Sequence, residues 1–430
     1  MRIRISHGRI IDPASGVDSI QDLYIAAGCI VALGRAPAGF SADRTLDAQG
    51  LIVCPGLIDL RAQLREPGEE HKATIASETR AAAQSGITTL CCPPATTPVV
   101  DTPAVVNLIR NRARQIGLAK VLPLGALTRG LDGQQLTEMR ALKEAGCPGV
   151  SNDLRPLANL LVLRRAMEYA ATHDLTLFLQ PEDAALANSG CVHEGPVATR
   201  LGLPGIPAMA ETTALASMLA LAEQTGARCH FQLLTTERAV QMIAEAQAQG
   251  LPVTADVSAY HLQLTDLDVL DFDSLCHVRP PLRSQRDRDA LRNGLGSHVL
   301  AAICSDHQPH EADAKLAPFV ETAPGISGLE TLLPLALKLV DQNILSLSAA
   351  IATITTHPAQ ILRLQDGGTL SPGQPADVCI FDPLHYWTLD PHHMHSRGHN
   401  TPFLDWELKG RVVYTLLDGV LIHERGAILE

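Results

Sequence analysis

Aromatic side chains are scarce in this sequence: two Trp, five Tyr and seven Phe, 3% of 430 residues. Hydrophobic residues nevertheless reach 46%, so the core must be aliphatic and alanine-rich, which favours helices packed on parallel strands. No apolar run approaches the roughly 20 residues that span a bilayer. The N-terminus, Met1-Arg-Ile-Arg-Ile-Ser-His-Gly8, alternates like a strand and lacks the apolar segment of a secretory leader. No Lys/Arg run stands out and the formal net charge is −12, which argues against nucleic acid or an anionic membrane as the main partner. The ten cysteines are scattered without a C-x-x-C, and Cys91-Cys92 lie together in an apolar run, as expected of small buried thiols in a reducing compartment. These absences leave a soluble, cytoplasmic protein. They also leave a chain without low-complexity tracts or repeats of roughly 20–50 residues.

The chain is long enough for one large α/β domain and a smaller one. Residues 1–52 carry short alternating segments, Arg2–Ser6, Asp22–Ile25 and Cys29–Leu33, broken by glycines. Residues 366–430 look the same, with Asp377–Phe381, Arg411–Leu417 and Val420–His423. Two strand-rich ends predict one small, sandwich-like β-sheet domain built from both termini. Residues 53–365 alternate apolar runs with helical patterns. The runs are Leu57–Leu60, Ile87–Cys92, Val121–Leu124, Gly149–Ser151, Leu175–Leu179, Arg228–Leu234, Leu251–Ala255 and Val299–Cys304. Helices are expected over Thr74–Ser85, Pro103–Ile116, Leu136–Ala145, Leu160–Ala171, Thr212–Thr225 and Thr236–Gln249. Eight strands, each followed by a helix or long loop, make a TIM barrel, whose site lies at the C-terminal strand ends.

Several stretches are long enough to be specific. Leu64-Arg-Glu-Pro-Gly68 follows the first strand; His193-Glu-Gly195 and Arg200-Leu-Gly-Leu-Pro-Gly-Ile-Pro207 follow the fifth. Pro280-Pro-Leu-Arg283, Ser305-Asp-His-Gln-Pro-His310 and Gly328-Leu-Glu-Thr331 lie around the last two. Gly398-His-Asn-Thr-Pro-Phe403 and Trp406-Glu-Leu-Lys-Gly-Arg-Val-Val-Tyr414 close the set. Together they resemble the cyclic amidohydrolases, and dihydroorotase above all, over nearly the whole chain.

The resemblance implies one or two divalent metals, usually zinc. Their ligands would be His-x-His on strand 1, an acidic or carbamylated residue on strand 4, His on strands 5 and 6, and Asp on strand 8. Here the strand 1 positions are Arg61 and Gln63, the strand 4 acid is Asp153 in Ser151-Asn-Asp-Leu154, and the later histidines are replaced by Gln180 and Leu233. Asp306 alone is clearly kept. Zinc needs about three thiolate, imidazole or carboxylate ligands. An amide is a poor substitute, leucine offers nothing, and a fixed guanidinium repels the ion. At ~4 Å and an effective dielectric of 20 two unit charges interact by about 4 kcal/mol, roughly doubled for a divalent ion. The zinc site is therefore expected to be lost, and with it the metal-bound hydroxide that opens an amide ring.

The implied substrate contacts are also thinned. Arg65 matches the arginine that grips a dihydroorotate carboxylate and His310 a substrate-contacting histidine, but Ala95 and Arg279 stand where asparagines are expected. Strands 1 and 8 are neighbours in a closed barrel, so the Arg61 guanidinium is expected to fill the vacated metal position beside Asp306. His392, His393, His395 and His399 read as an exposed loop, His193-Glu194 lacks the second histidine of H-E-x-x-H, and Cys304 reads as barrel interior.

The resemblance then points to a non-catalytic dihydroorotase-like chain. Such chains are companions of the aspartate carbamoyltransferase catalytic chain, so the expectation is a hetero-oligomer with possible self-association and no cofactor. Two alternatives stand beside it. One is an active, metal-dependent amidohydrolase with an atypical site around Asp153, Asp306, His307 and His310. The other is a regulatory module in which Arg65 and His310 hold a carboxylate ligand.

Overall fold

The structure, a computed structural model, describes residues 1–429. Eight parallel barrel strands occupy the middle of the chain. They are β1 (Leu57–Asp59), β2 (Ile87–Cys92), β3 (Lys120–Pro123, continued as Gly125–Ala126), β4 (Gly149–Ser151), β5 (Thr176–Leu179), β6 (Cys229–Phe231), β7 (Val253–Ser258) and β8 (Ala302–Cys304). β1, β2 and the first part of β3 form one hydrogen-bonded piece, and the second part of β3 leads through β4, β5, β6 and β7 to β8. Leu124 links the two pieces by donating its N–H to the Cys92 carbonyl at 2.9 Å. A bridge between Ala62 and His307 closes the ring, with the Gln63 N–H donated to the His307 carbonyl at 2.8 Å.

β2 shows why these segments are strands. Ile-Thr-Thr-Leu-Cys-Cys is rich in β-branched side chains and buried throughout, as a strand covered on both faces must be. The helices are stopped by local chemistry. Ile75–Gln84 opens on a capping box between Thr74 and Ser77, and Pro103–Ile116 opens on proline and ends at Gly117 with φ 75°. Inside the barrel Ile58, Leu60, Cys91, Leu124, Phe178, Leu233 and Cys304 pack together, and Ala359, Ile361 and Leu362 join them from below. Cys304 is thus interior, as expected.

Among the described residues the terminal domain is one hydrogen-bonded sheet of nine strands. Its path runs Ala427–Ile428, Val420–Glu424, Glu407–Leu417, Val378–Thr388, Ile52–Pro55, Arg2–Asp12, Val17–Ala26 and Cys29–Leu33, with Arg44–Asp47 paired to Arg2–Asp12. The sheet has its own core of Ile3, Ile5, Ile10, Leu23, Val378, Ile380 and Leu416. Buried Asp12 ties its halves together, accepting the Leu370 N–H at 3.0 Å and the Thr369 hydroxyl at 2.9 Å. Residue 430 lies outside the described residues.

Some boundaries differ from the sequence reading. Ile52–Pro55 pairs with Arg2–Asp12 and Val378–Thr388, so the chain enters the barrel at Gly56 rather than after residue 52. The helix expected from Leu136 begins at Met139, because Leu136 bridges to Thr128 and the Thr137 hydroxyl is held by the Ala126 carbonyl. The strand expected over Arg228–Leu234 stops at Phe231, since Leu233 takes φ 56°, which no strand can follow. Among the described residues no helix is long and apolar enough to cross a membrane.

Candidate functional site

The C-terminal ends of the barrel strands converge on Arg61, among the largest fully buried side chains of the described residues. It leaves the barrel just beyond β1 and turns inward. Its Nε donates to Asp306 Oδ1 at 2.7 Å and its Nη2 to Asp153 Oδ1 at 2.6 Å. The expected contact with Asp306 is formed, and a second with Asp153 accompanies it. Asp306 is further satisfied by the Tyr260 hydroxyl, donated to Oδ2 at 2.6 Å, and by Gln308 Nε2 at 3.2 Å from each oxygen. Burial would push the Arg61 guanidinium down, but Asp153 and Asp306 outweigh it and hold it above its usual value. Burial pushes the Asp306 carboxyl up, against the opposing charge of Arg61.

This cluster sits on an anchored base. Asp59, at the end of β1, accepts the Ser305 N–H at 2.9 Å, the Ser305 hydroxyl, and the Arg61 N–H at 3.2 Å. Burial still lifts its carboxyl to about 6. Asp153, Leu233 and Asp306 all take left-handed backbone conformations, with φ 56°, 56° and 44°. Aspartate tolerates this region; leucine gains nothing there. Leu233 is fully buried, and its N–H donates to Asp256 Oδ1 at 2.7 Å. Asp256 in turn receives His230 Nε2 at 2.9 Å. Gln180 is buried and reaches only the Pro181 carbonyl, at 3.3 Å. Gln63 is half-buried beside the bridge that closes the barrel.

A divalent metal does not fit this set. Both carboxylates already share a guanidinium, position 233 offers no donor, and positions 63 and 180 offer amides. Nor are Asp153, Asp306, His307 and His310 gathered into an alternative site. Gly328 donates its N–H to His307 Nδ1 at 3.1 Å, so Nε2 carries the proton and gives it to Glu78 Oε2 at 2.8 Å. His307 therefore faces the helix Ile75–Gln84. His310 lies against Arg65, with Nε2 3.1 Å from Arg65 Nη2, and burial followed by that charge lowers it to about 3. Among the described residues no three His, Cys, Asp or Glu side chains are grouped as a metal set.

The implied substrate contacts are occupied from within. Arg65 donates Nε to the Pro309 carbonyl at 3.0 Å and Nη1 to Glu69 Oε2 at 2.9 Å. Arg279 forms a two-pronged pair with Glu182, bridging the loop after β5 to the segment before Pro280. Ala95 is half-buried and contributes no polar group. His392, His393 and His399 are exposed, as expected of that loop, and His395 is partly covered.

Tyr260 was missed by the sequence reading. Its signal was a polar run, Ser258-Ala-Tyr-His261, at the C-terminal end of a barrel strand, where site residues gather. Tyr260→Phe should cost about 1.5–3 kcal/mol, the range for a buried hydrogen bond to a charged group. Urea unfolding checks this, and a loss below about 0.5 kcal/mol would show that Tyr260 does not support Asp306.

The geometry can be set beside known proteins. Residues 50–238 match the family model described as Dihydro-orotase-like, and residues 330–423 match that of the Amidohydrolase family. A Dihydroorotase-like protein of Pseudomonas aeruginosa is 55% identical over 99% of this chain and 100% of its own length. One of Pseudomonas putida is 52% identical over 98% and 99%. A protein of Syntrophotalea carbinolica named Dihydroorotase is 45% identical over 97% and 98%. Among solved structures, L-hydantoinase (dihydropyrimidinase) from Arthrobacter aurescens superposes with a TM-score of 0.90 at 22% identity, covering 100% of this chain and 97% of that one. At that identity the likeness concerns the fold: an amidohydrolase barrel with a terminal β-sheet domain.

Proposed function

The chain belongs to the dihydroorotase-like family of amidohydrolases, and from that premise we propose that it is a non-catalytic subunit of pyrimidine biosynthesis that assembles with and supports the catalytic chain of aspartate carbamoyltransferase. The observation that carries the non-catalytic half is Arg61, seated between Asp153 and Asp306 and bonded to both. A cation fixed there takes the charge that a catalytic metal would otherwise neutralise. Hydrolysis of a cyclic amide needs an activated water, and two carboxylates tied to one guanidinium give little activation. Arg65, occupied by Glu69, is likewise poorly placed to grip a substrate carboxylate.

The partner half rests on the resemblance to non-catalytic companions of that transcarbamoylase, together with a scaffold complete in both domains. Fold likeness alone would not license it; kept frame and filled site together support it. The role places the chain in the cytoplasm, which suits ten cysteines that are all unpaired.

Two measurements test the reading. Metal analysis of the purified chain with a dihydroorotate hydrolysis assay should find less than stoichiometric zinc and no turnover above buffer. Stoichiometric metal with turnover would overturn the non-catalytic half. Mixing the chain with its host's aspartate carbamoyltransferase should give a larger co-eluting species with raised transcarbamoylase activity. Separate elution with unchanged activity would defeat the partner half.

A further inference from the structure

The N-terminal face of the barrel lies opposite the strand ends that hold Arg61. A recess of about 550 Å³ opens there, between the starts of β5 to β8 and the helix Thr356–Ile361. That size lies within the range of small-molecule sites, roughly 300–1,000 Å³. Leu251, Val253 and Ile361 supply apolar wall, and Arg228, Arg363 and His298 supply polar rim. Among the described residues no Asp or Glu lines it.

Two buried polar atoms in this lining lack a partner among the described residues. Thr176 is 2% exposed and its Oγ1 makes no hydrogen bond. Arg228 Nη1 is likewise covered and unbonded. Buried polar groups are rarely left so, and these two lie covered behind the recess wall with hydrogen-bonding capacity unspent. The charge balance at the rim says what the recess suits. Asp174 is the carboxylate that both arginines share: Arg228 Nη2 donates to it at 2.9 Å, and Arg363 Nη1 donates to its other oxygen. Two guanidiniums on one carboxylate leave a positive charge at the rim.

We propose that this recess binds a small organic oxyanion with a compact apolar body, its charged end at Arg228 and Arg363 and its body against Ile361 and Leu251. Guanidinium suits such an end because its fork matches carboxylate and phosphate oxygens alike. The inference is independent of whether the other barrel mouth is catalytic.

Calorimetric titration of the full-length chain with phenyl phosphate and with benzoate tests it, phenol and inorganic phosphate serving as charge-free and body-free controls. The expected result is saturable one-to-one binding of phenyl phosphate or benzoate, the tighter of the two identifying the oxyanion, and weaker binding of both controls. Arg228→Gln and Arg363→Gln should each weaken it by roughly tenfold, the loss of one charge-assisted hydrogen bond. Both arginines are partly exposed, so these variants should keep the wild-type thermal unfolding curve. No saturable binding of either probe would overturn the proposal. So would binding unchanged in both variants, or binding lost in Arg65→Gln, which would place the anion at the opposite mouth.

Discussion

Replacing Arg61 with methionine should destabilise the protein by about 3–5 kcal/mol, the usual cost of removing one partner from a buried ion pair. Methionine fills much of the volume, so the loss is electrostatic in origin. Asp153 and Asp306 would face each other in a site with almost no water, with only Tyr260 and Gln308 left to donate to Asp306. The Asp306 carboxyl, which burial already raises, would lose the opposing charge of Arg61 and rise further. A carboxyl raised in the folded state lowers stability as pH climbs through the ordinary carboxylate range, so the deficit against wild type should be large at pH 7 and shrink toward pH 4. Adding Asp153→Asn and Asp306→Asn to Arg61→Met should recover most of the loss, because the remaining groups are neutral. Arg61→Lys should not rescue it, since a single ammonium lacks the fork that serves two carboxylates at once. Urea denaturation of the four proteins at both pH values is the measurement. A deficit under about 1 kcal/mol for Arg61→Met at pH 7 would show that the guanidinium is not what holds the site together.

Glu330→Gln should stabilise the protein at neutral and alkaline pH. Burial, with the charge of Glu78 adding to it, lifts the Glu330 carboxyl to about 8. One oxygen accepts the His395 N–H at 2.6 Å, and the other has no partner among the described residues. In the unfolded chain the group ionises near 4.3. Between those values the unfolded chain has released a proton that the folded chain keeps. Folding stability then falls by about 1.4 kcal/mol for each pH unit gained, a loss on the order of 4 kcal/mol by pH 7.5. Glutamine copies the neutral acid, keeps an oxygen for His395 and does not titrate. The two proteins should therefore match near pH 4, and the variant should lead increasingly from pH 5 to 8. Equal stabilities across that range would mean that Glu330 is ionised in the fold and held by other groups.

Much of the architecture is legible in the sequence. β2 fell on Ile87–Cys92 and a helix on Pro103–Ile116, because β-branched burial and a proline-to-glycine frame are local signals. The terminal sheet was legible as two matching sets of alternating segments. Errors came where a long-range partner overrode a local pattern. Ile52–Pro55 reads like the start of the barrel but is claimed by Val378–Thr388, and Leu136 is claimed by Thr128.

The site divides the same way. Residue identity alone says which side chains can donate to a metal, because no fold can give leucine a lone pair or strip a guanidinium of its charge. Residue identity could not say where Arg61 points. Its partners lie 245 and 92 residues away, and Tyr260 stands 46 residues from Asp306. Only closure of the ring, with Ala62 bridged to His307, brings those strand ends within hydrogen-bond reach. The same holds for the recess at the far face, where Thr176, Arg228 and Arg363 become neighbours through strand order and a helix laid beneath it. Composition and periodicity sort side chains into inside and outside along one element at a time. Charges and orphaned donors acquire partners only when elements far apart in the chain are packed together, and that packing is where the chemistry of this protein is set.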